Sequence, residues 1–353
     1  MSSSDTNSAA WLDAPGTPFV VREAPMPPTP ASHEVVLRIH AVAINPIDSH
    51  RQKAGMYTPS YPYILGFDAA GTVVSFGNEV KGFTAGDKVI ALTDEYITHL
   101  SSHSFFQRFA VTGNRPLCKI PDGLKFEDAC VLPVGVCTAA GMLFEKESLD
   151  LEWPTLDKDV RATRNHDGEI VVVWGASSSV GCSAIQLLRA AGYRVLASAS
   201  KRNFDLVREC GAEAVFDHSE ADCVDKVCKW IEDKKLQLAG VLAVLINPDV
   251  HQKCAQVAQR LPGNKFVSTS LPRGIVPEPD LGEGIKTSNC LGTSQRDLLE
   301  YMWNEWMPKA LELGQLKCLP SAEVVGQGLE AVNHACEVMS KGVSGKKIVV
   351  SDI

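Results

Sequence analysis

Apolar residues fill every position of the run Ile170-Val171-Val172-Val173-Trp174. A run without alternation predicts a strand buried on both faces, the kind that lies inside a parallel sheet. Small residues follow, Gly175-Ala176-Ser177-Ser178-Ser179-Val180-Gly181, and then Ile185, Leu187, Leu188 and Ala191 recur at helical spacing up to Gly192. Residues 193–197 predict a second strand. Together these make a βαβ unit, whose helix N-terminus is a binding place for a dinucleotide pyrophosphate. Beyond it the pattern predicts helices over 204–210, 221–234 and 252–260, and strands over 214–216, 241–246 and 266–267. Such alternation means a doubly wound parallel sheet.

The first ~120 residues read differently. Short strands are predicted at 19–21, 34–44, 71–74, 88–92, 105–111 and 117–120, with Gly and Pro in the turns, so this part is all-β and barrel-like. Asn45-Pro46-Ile47-Asp48 is a turn with a helix start. Residues 127–143 form an apolar helix of small residues, and 145–168 a polar surface excursion. After a Pro- and Gly-rich loop at 271–284, the chain closes with a helix over 295–313, a strand at Val324-Val325, a helix over 329–339 and a strand over 347–350. The fold expected is α/β in two domains: a β-rich one from 1–130 with 300–353, and the parallel sheet from 131–299.

Of the 353 residues, 34 are Lys or Arg and 42 Asp or Glu, so the net charge of −8 argues against nucleic acid as the partner. No apolar run approaches ~18 residues, so no membrane span is expected. Met1 to Ala10 is polar and small, unlike a secretory signal, and the eleven cysteines form no C-x-x-C pair. A cytoplasmic protein with free thiols is the expectation.

The glycines of the turn do not fit a strict G-x-G-x-x-G, because Ser177 and Val180 stand where the second and third would fall. The expectation of a cofactor rests on context: the hydroxyls and N–H groups of Ser177, Ser178 and Ser179, and the backbone at Val180, can donate to phosphate. At the end of the second strand, Ser198-Ala199-Ser200-Lys201-Arg202-Asn203 holds two cations and no carboxylate. An NAD site would place Asp or Glu there for the ribose hydroxyls, so Ser200, Lys201 and Asn203 point to the 2′-phosphate of NADPH. A solvated basic helix start is the alternative. His218, after Phe216-Asp217, is a candidate cover for the adenine.

Ala43-Ile44-Asn45-Pro46-Ile47-Asp48, Leu65-Gly66-Phe67-Asp68-Ala69-Ala70-Gly71, Phe83-Thr84-Ala85-Gly86-Asp87-Lys88-Val89 and Leu132-Pro133 resemble the medium-chain dehydrogenase/reductase superfamily, with its GroES-like catalytic domain and Rossmann domain. Ser200-Lys201-Arg202-Asn203-Phe204-Asp205-Leu206-Val207 and Gly211-Ala212-Glu213-Ala214-Val215-Phe216-Asp217 resemble the stand-alone fungal trans-acting enoyl reductases of polyketide clusters. The resemblance implies reduction of an activated C=C in an enoyl thioester or enone, on a small-molecule or carrier-bound acyl substrate, with a polyketide synthase as partner. It implies that Asn45 positions the nicotinamide, that Asp48 and His50 join the cofactor site, and that Thr138 bonds the nicotinamide ribose or amide. Tyr57, in Gly55-Met56-Tyr57-Thr58-Pro59, is the candidate acid. Mitochondrial enoyl thioester reductases of the superfamily carry a tyrosine in a similar context, without the intervening Thr58.

Zinc relatives take a Cys from the segment of Asn45 and a His from the segment of Gly66-Phe67-Asp68; neither ligand stands here, so no metal is expected. A quinone oxidoreductase, which needs no placed proton donor, and a non-catalytic NADPH-binding protein stay open as alternatives. Lys286, Ser288 and Asn289 in the segment 286–292 disfavour strand pairing between copies, so a monomer is expected.

Overall fold

In the computed structural model, residues 6–113, 117–164, 166–272, 276–293 and 295–353 are described. The unalternated run becomes the strand Glu169–Trp174, buried from Ile170 onward. It lies inside a six-stranded sheet, among the described residues, in the order Ala214–Asp217, Arg194–Ala199, Glu169–Trp174, Gln237–Ala243, Phe266–Thr269, Lys286–Asn289. All of its pairings are parallel. The chain leaves the first strand to one side and later returns to the other, so the order reverses beside Glu169–Trp174. Ligands of such sheets bind at that reversal, off the carboxyl ends of the strands.

The helix Ser179–Ala191 covers the first strand with Ile185, Leu187 and Leu188. Gly192 ends it in the left-handed region at φ 102° and donates to the carbonyls of Leu188 and Arg189. Helices Cys223–Asp233 and Pro248–Arg260 pack Val227, Ile231, Cys254 and Val257 into one core with Ile170, Val172 and Trp174. Each such side chain, when fully buried, contributes about 1.5–3 kcal/mol.

Two expectations shift here. The strand expected over 241–246 runs from Gln237 to Ala243, with a register irregularity between Leu238 and Gly240. Leu245 and Ile246 carry the apolar run past the strand and stand 40% and 62% exposed at the sheet's carboxyl edge. The polar excursion over 145–168 contains a helix, Lys158–Thr163, capped by Asp157, whose side chain accepts from the N–H groups of Asp159 and Val160. Of the loop expected at 271–284, residues 273–275 lie outside those described.

Contacts divide the chain into two compact units, one of Met1–Val134, Trp303–Glu312 and Ser321–Ile353, the other of Gly135–Met302 and Leu313–Pro320. In the first, Glu34–Ala43 is the spine of a seven-stranded sheet among the described residues. It pairs antiparallel with Asp68–Phe76 on one side, and with Phe109–Gly113 and Lys347–Ser351 along the other. A further strand, Asn7–Leu12, was not expected, because Asn7-Ser8-Ala9-Ala10 is too small and polar to read as one. Pairing with Val20–Ala24 supplies the missing drive, and the Asn7 side chain accepts from the Phe109 N–H at 3.0 Å and donates to its carbonyl at 3.1 Å.

Phe126–Phe144 corrects another expectation, since it is long and apolar enough to cross a membrane. It is interrupted between the helices Phe126–Ala129 and Pro133–Phe144, and 78% of its apolar window is buried within the protein.

Candidate active site

The turn after the central strand follows from the βα corner. Gly175 sits at φ 88°, where a side chain would also strike Leu245, 2.7 Å from the added Cβ. Gly181 is needed for a different reason: a Cβ there would stand 2.6 Å from both the Ala176 Cα and the Gly175 carbonyl oxygen. Helix and strand approach too closely for anything but glycine. The turn therefore runs between the required glycines Gly175 and Gly181, with Ser177 and Val180 in place of the inner glycines of a G-x-G-x-x-G frame. The signal was present as a second glycine six positions on.

The serines divide their tasks. Ser178 is the N-cap: its Oγ accepts from the Gly181 N–H at 3.1 Å and donates to the Gly175 carbonyl at 2.8 Å. Ser177 Oγ accepts from Asn203 Nδ2 at 3.0 Å, tying the turn to the end of the second strand. The N–H groups of Ser179 and Val180, in the first turn of a 13-residue helix, have no intrahelical acceptor to meet. A small-residue turn, a glycine-dependent close approach and a helix N-terminus fit a dinucleotide pyrophosphate. Thr138, buried on Pro133–Phe144, donates its hydroxyl to the Leu291 carbonyl at 3.4 Å.

At the end of the second strand the structure brings together Ser200 and His218, with Oγ and Nε2 3.1 Å apart. Lys201, 70% exposed, pairs with Glu220 at 3.1 Å. This corrects the expectation of cations without a carboxylate: Glu220 and Asp217 arrive from the third strand and the loop behind it. Lys226 and Lys201 hold the Glu220 carboxyl below its usual range, and hydrogen bonds from Ser219 do the same for Asp217. No local pattern around Lys201 announces either acid.

In the other unit, Asn45 caps the helix Pro46–Ala54 with extended backbone, φ −111° and ψ 157°. Its Nδ2 donates to Asp68 Oδ2 at 2.9 Å, and its Oδ1 accepts from Lys347 Nζ at 2.6 Å. Lys347 in turn pairs with Asp68 at 2.9 Å, and Asp68 Oδ1 accepts from the Val134 N–H at 2.8 Å. All three side chains are buried. Asp48 Oδ2 accepts from the Asn45 N–H at 2.8 Å, while its Oδ1 is buried with no partner among the described residues. Burial pushes the Asp48 carboxyl up to about 7, against the bond from Asn45 and with Asp68 adding to the rise. Of the two residues that the resemblance places at the cofactor, Asn45 is a strut between Asp68 and Lys347, and Asp48 caps the start of the helix. His50 is exposed on the same helix.

Tyr57 stands just past that helix at φ 56°, with its hydroxyl buried and unpartnered among the described residues. Beneath it lies an ion pair between Arg51 and Glu95, both side chains 1% exposed. Sequence reasoning passed over both, since charged residues in a polar-looking helix read as solvated.

Among the described residues no group of three or more His, Cys, Asp or Glu side chains is placed to hold a metal ion. His99 and His103 have metal-ligand spacing, which the sequence reading overlooked. His99 caps the helix Glu95–Thr98, and His103, on a separate turn, places Nδ1 2.6 Å from Asp94.

A parallel sheet with this strand order and glycine turn, joined in one chain to a β-rich unit of this topology, defines a medium-chain dehydrogenase/reductase. The model of the alcohol dehydrogenase GroES-like domain matches residues 31–133. The dehydrogenase orsE of Emericella nidulans is 33% identical over 356 residues, covering 98% of this chain and 99% of its own. The trans-enoyl reductase himH of Aspergillus japonicus is 33% identical over 317 residues, 90% of this chain and 89% of its own. In fold, the chain is similar to an alcohol dehydrogenase superfamily protein from Novosphingobium aromaticivorans, with a TM-score of 0.74, 24% identity, and coverage of 99% and 100%. The chain belongs to the medium-chain dehydrogenase/reductase family, in the branch of fungal dehydrogenases and trans-enoyl reductases of secondary-metabolite clusters. It is an oxidoreductase, and the family's cofactor is a nicotinamide dinucleotide.

Proposed function

We propose that this chain is a zinc-independent, NADPH-dependent enoyl reductase. Its substrate is an enoyl thioester or enone intermediate of natural-product biosynthesis, free or carried by a polyketide synthase, and the chain works as a monomer of 38.1 kDa. The observation that carries the reading is the Tyr57 phenol, buried and unpartnered on a loop of the GroES-like unit. A quinone reductase has no use for a placed proton donor; an enoyl reductase does. Relatives named trans-enoyl reductases support the same choice.

Bound NADPH supplies the hydride that adds to the β-carbon. Ser179 and Val180 hold the pyrophosphate with backbone N–H groups, Lys201 faces the 2′-phosphate, and Ser200 with His218 borders the adenosine. Thr138 orients the nicotinamide end. After addition at the β-carbon, electron density rests on the thioester oxygen and α-carbon as an enolate. Tyr57 then gives the α-carbon its proton, and the phenolate left behind takes a proton back from solvent.

NADPH oxidation is followed with a crotonyl thioester, with a benzoquinone, and with no acceptor. Turnover of the thioester is the expected result. Turnover of the quinone alone would make the chain a quinone reductase, and binding without turnover a non-catalytic NADPH-binding protein. Tyr57→Phe should lower kcat on the order of 10²-fold. If kcat instead holds within a factor of ~3 and solvent deuterium enters the α-carbon with unchanged stereochemistry, the proton comes from water. About one zinc per purified chain would overturn zinc independence. Light scattering at twice the chain mass would overturn the monomer.

A further inference from the structure

We propose that the buried Arg51–Glu95 pair holds the proton donor in place: Arg51 and Glu95 are positioning residues for Tyr57. The inference rests on the reading of Tyr57 as the acid. Tyr57 lies in the left-handed region at φ 56°. For a residue other than glycine this costs about 1–2 kcal/mol, so the surroundings must impose it.

The imposed contacts can be traced. Gly55 closes the helix Pro46–Ala54 by donating to the Arg51 carbonyl at 2.9 Å, and the Thr58 N–H reaches the Gly55 carbonyl at 3.2 Å, so Met56 and Tyr57 form the tip of a turn. From below, Arg51 Nη2 approaches the Tyr57 carbonyl at 3.4 Å. The guanidinium cannot drift: Nη1 is bonded to Glu95 Oε1, and the rings of Phe67 and Tyr63 lie 5.6 Å and 5.8 Å from its centre. Glu95 is fixed in turn by the Tyr63 hydroxyl at 2.9 Å. Burial, then the Glu95 charge and hydrogen bond, push the Tyr63 phenol up, so it stays a donor. The next residue, Tyr96, sets its ring edge-on to Tyr57, with centroids 6.0 Å apart and planes at 77°. Glu95 and Tyr96 thus fix Tyr57 at both ends, the carbonyl through Arg51 and the ring directly.

A buried ion pair is a poor source of net stability, because desolvation offsets its attraction, while removal of one partner is costly. What it provides is one geometry. Here that geometry is passed to a strained residue whose hydroxyl makes no bond of its own. A proton donor needs this, since small misplacements cost large factors in rate.

The test is a double-mutant cycle on kcat for the crotonyl thioester in the full-length protein. Arg51→Lys keeps the charge and loses the fork. It should lower kcat about tenfold with KM within about threefold, and scramble the stereochemistry of solvent deuterium at the α-carbon. In a Tyr57→Phe background the same change should have almost no further effect. Tyr96→Ala removes the ring contact at a half-exposed position without disturbing the buried charges, and should behave alike with a smaller loss of about threefold. A Tyr57→Phe effect that is large, with Arg51→Lys and Tyr96→Ala costing as much in both backgrounds, overturns the positioning role alone. An unchanged kcat in Tyr57→Phe overturns the reading of Tyr57, and the positioning role falls with it.

Discussion

Gly181→Ala tests whether the turn is built as described. The added methyl would stand 2.6 Å from the Ala176 Cα, 2.6 Å from the Gly175 carbonyl oxygen and 2.7 Å from the Ala176 carbonyl carbon. Carbon–carbon contact settles near 3.5–4.0 Å, so about 1 Å must be found. All three atoms are backbone of the phosphate turn, and no side chain can swing aside. Overpacking of this kind costs about 1–3 kcal/mol, and in a unit of this size each kcal/mol lowers Tm by about 2–4 °C. Relief by displacing the turn moves the N–H groups of Ser179 and Val180 away from the pyrophosphate, so NADPH affinity should fall at least tenfold, beyond the loss of stability. Gly168→Ala is the control, since nothing lies within 4 Å of a Cβ there and its φ is not left-handed. Thermal melts and fluorescence titration with NADPH read both effects. If Gly181→Ala matches Gly168→Ala in Tm and in NADPH affinity, the close approach is not what the turn requires.

Three further outcomes follow from charge. Lys201→Ala should weaken NADPH about tenfold and leave NADH unchanged, whereas Glu220→Gln, which releases Lys201 from its carboxylate, should tighten NADPH about threefold, more at low salt; isothermal titration checks both, and equal losses for the two cofactors in Lys201→Ala would contradict the assignment. Asp48 titrates near 7 in the folded chain and near 4 unfolded, so the folded state holds the extra proton between those values and stability falls as pH rises through that window. Urea unfolding at pH 5 and pH 7.5 should therefore show Asp48→Asn losing less stability than the parent across the interval, by about 2–3 kcal/mol; parallel pH dependence in the two proteins would refute it.

Much of this architecture is legible because hydropathy reports burial of apolar side chains. Ile170 to Trp174 reads as an inner strand, Gly192 as the end of a helix, and Asn45-Pro46 as the start of one. The same logic fails where burial is not matched by hydropathy. Asn7–Leu12 is a strand by virtue of its partners, and Leu245-Ile246 is apolar but projects past its strand to the binding edge. Glu220 meets Lys201 only because two parallel strands end side by side, a proximity that no window along the chain contains.

Buried charge is the deeper reason the candidate site is less legible than the fold. Arg51, Glu95, Asp68 and Lys347 are all enclosed, yet by composition each belongs on a surface. Arg51 meets Glu95 across 44 positions, and Asp68 meets a lysine near the far end of the chain. One local sign does exist. Lys347 heads the buried strand completed by Ile348, Val349 and Val350, and a lone cation opening such a strand must find an anion inside. Its anion is the aspartate of Gly66-Phe67-Asp68, and Asn45 bonds to both partners. Asn45 and Asp68, 23 positions apart, are thus joined to each other and to a lysine near the far end of the chain.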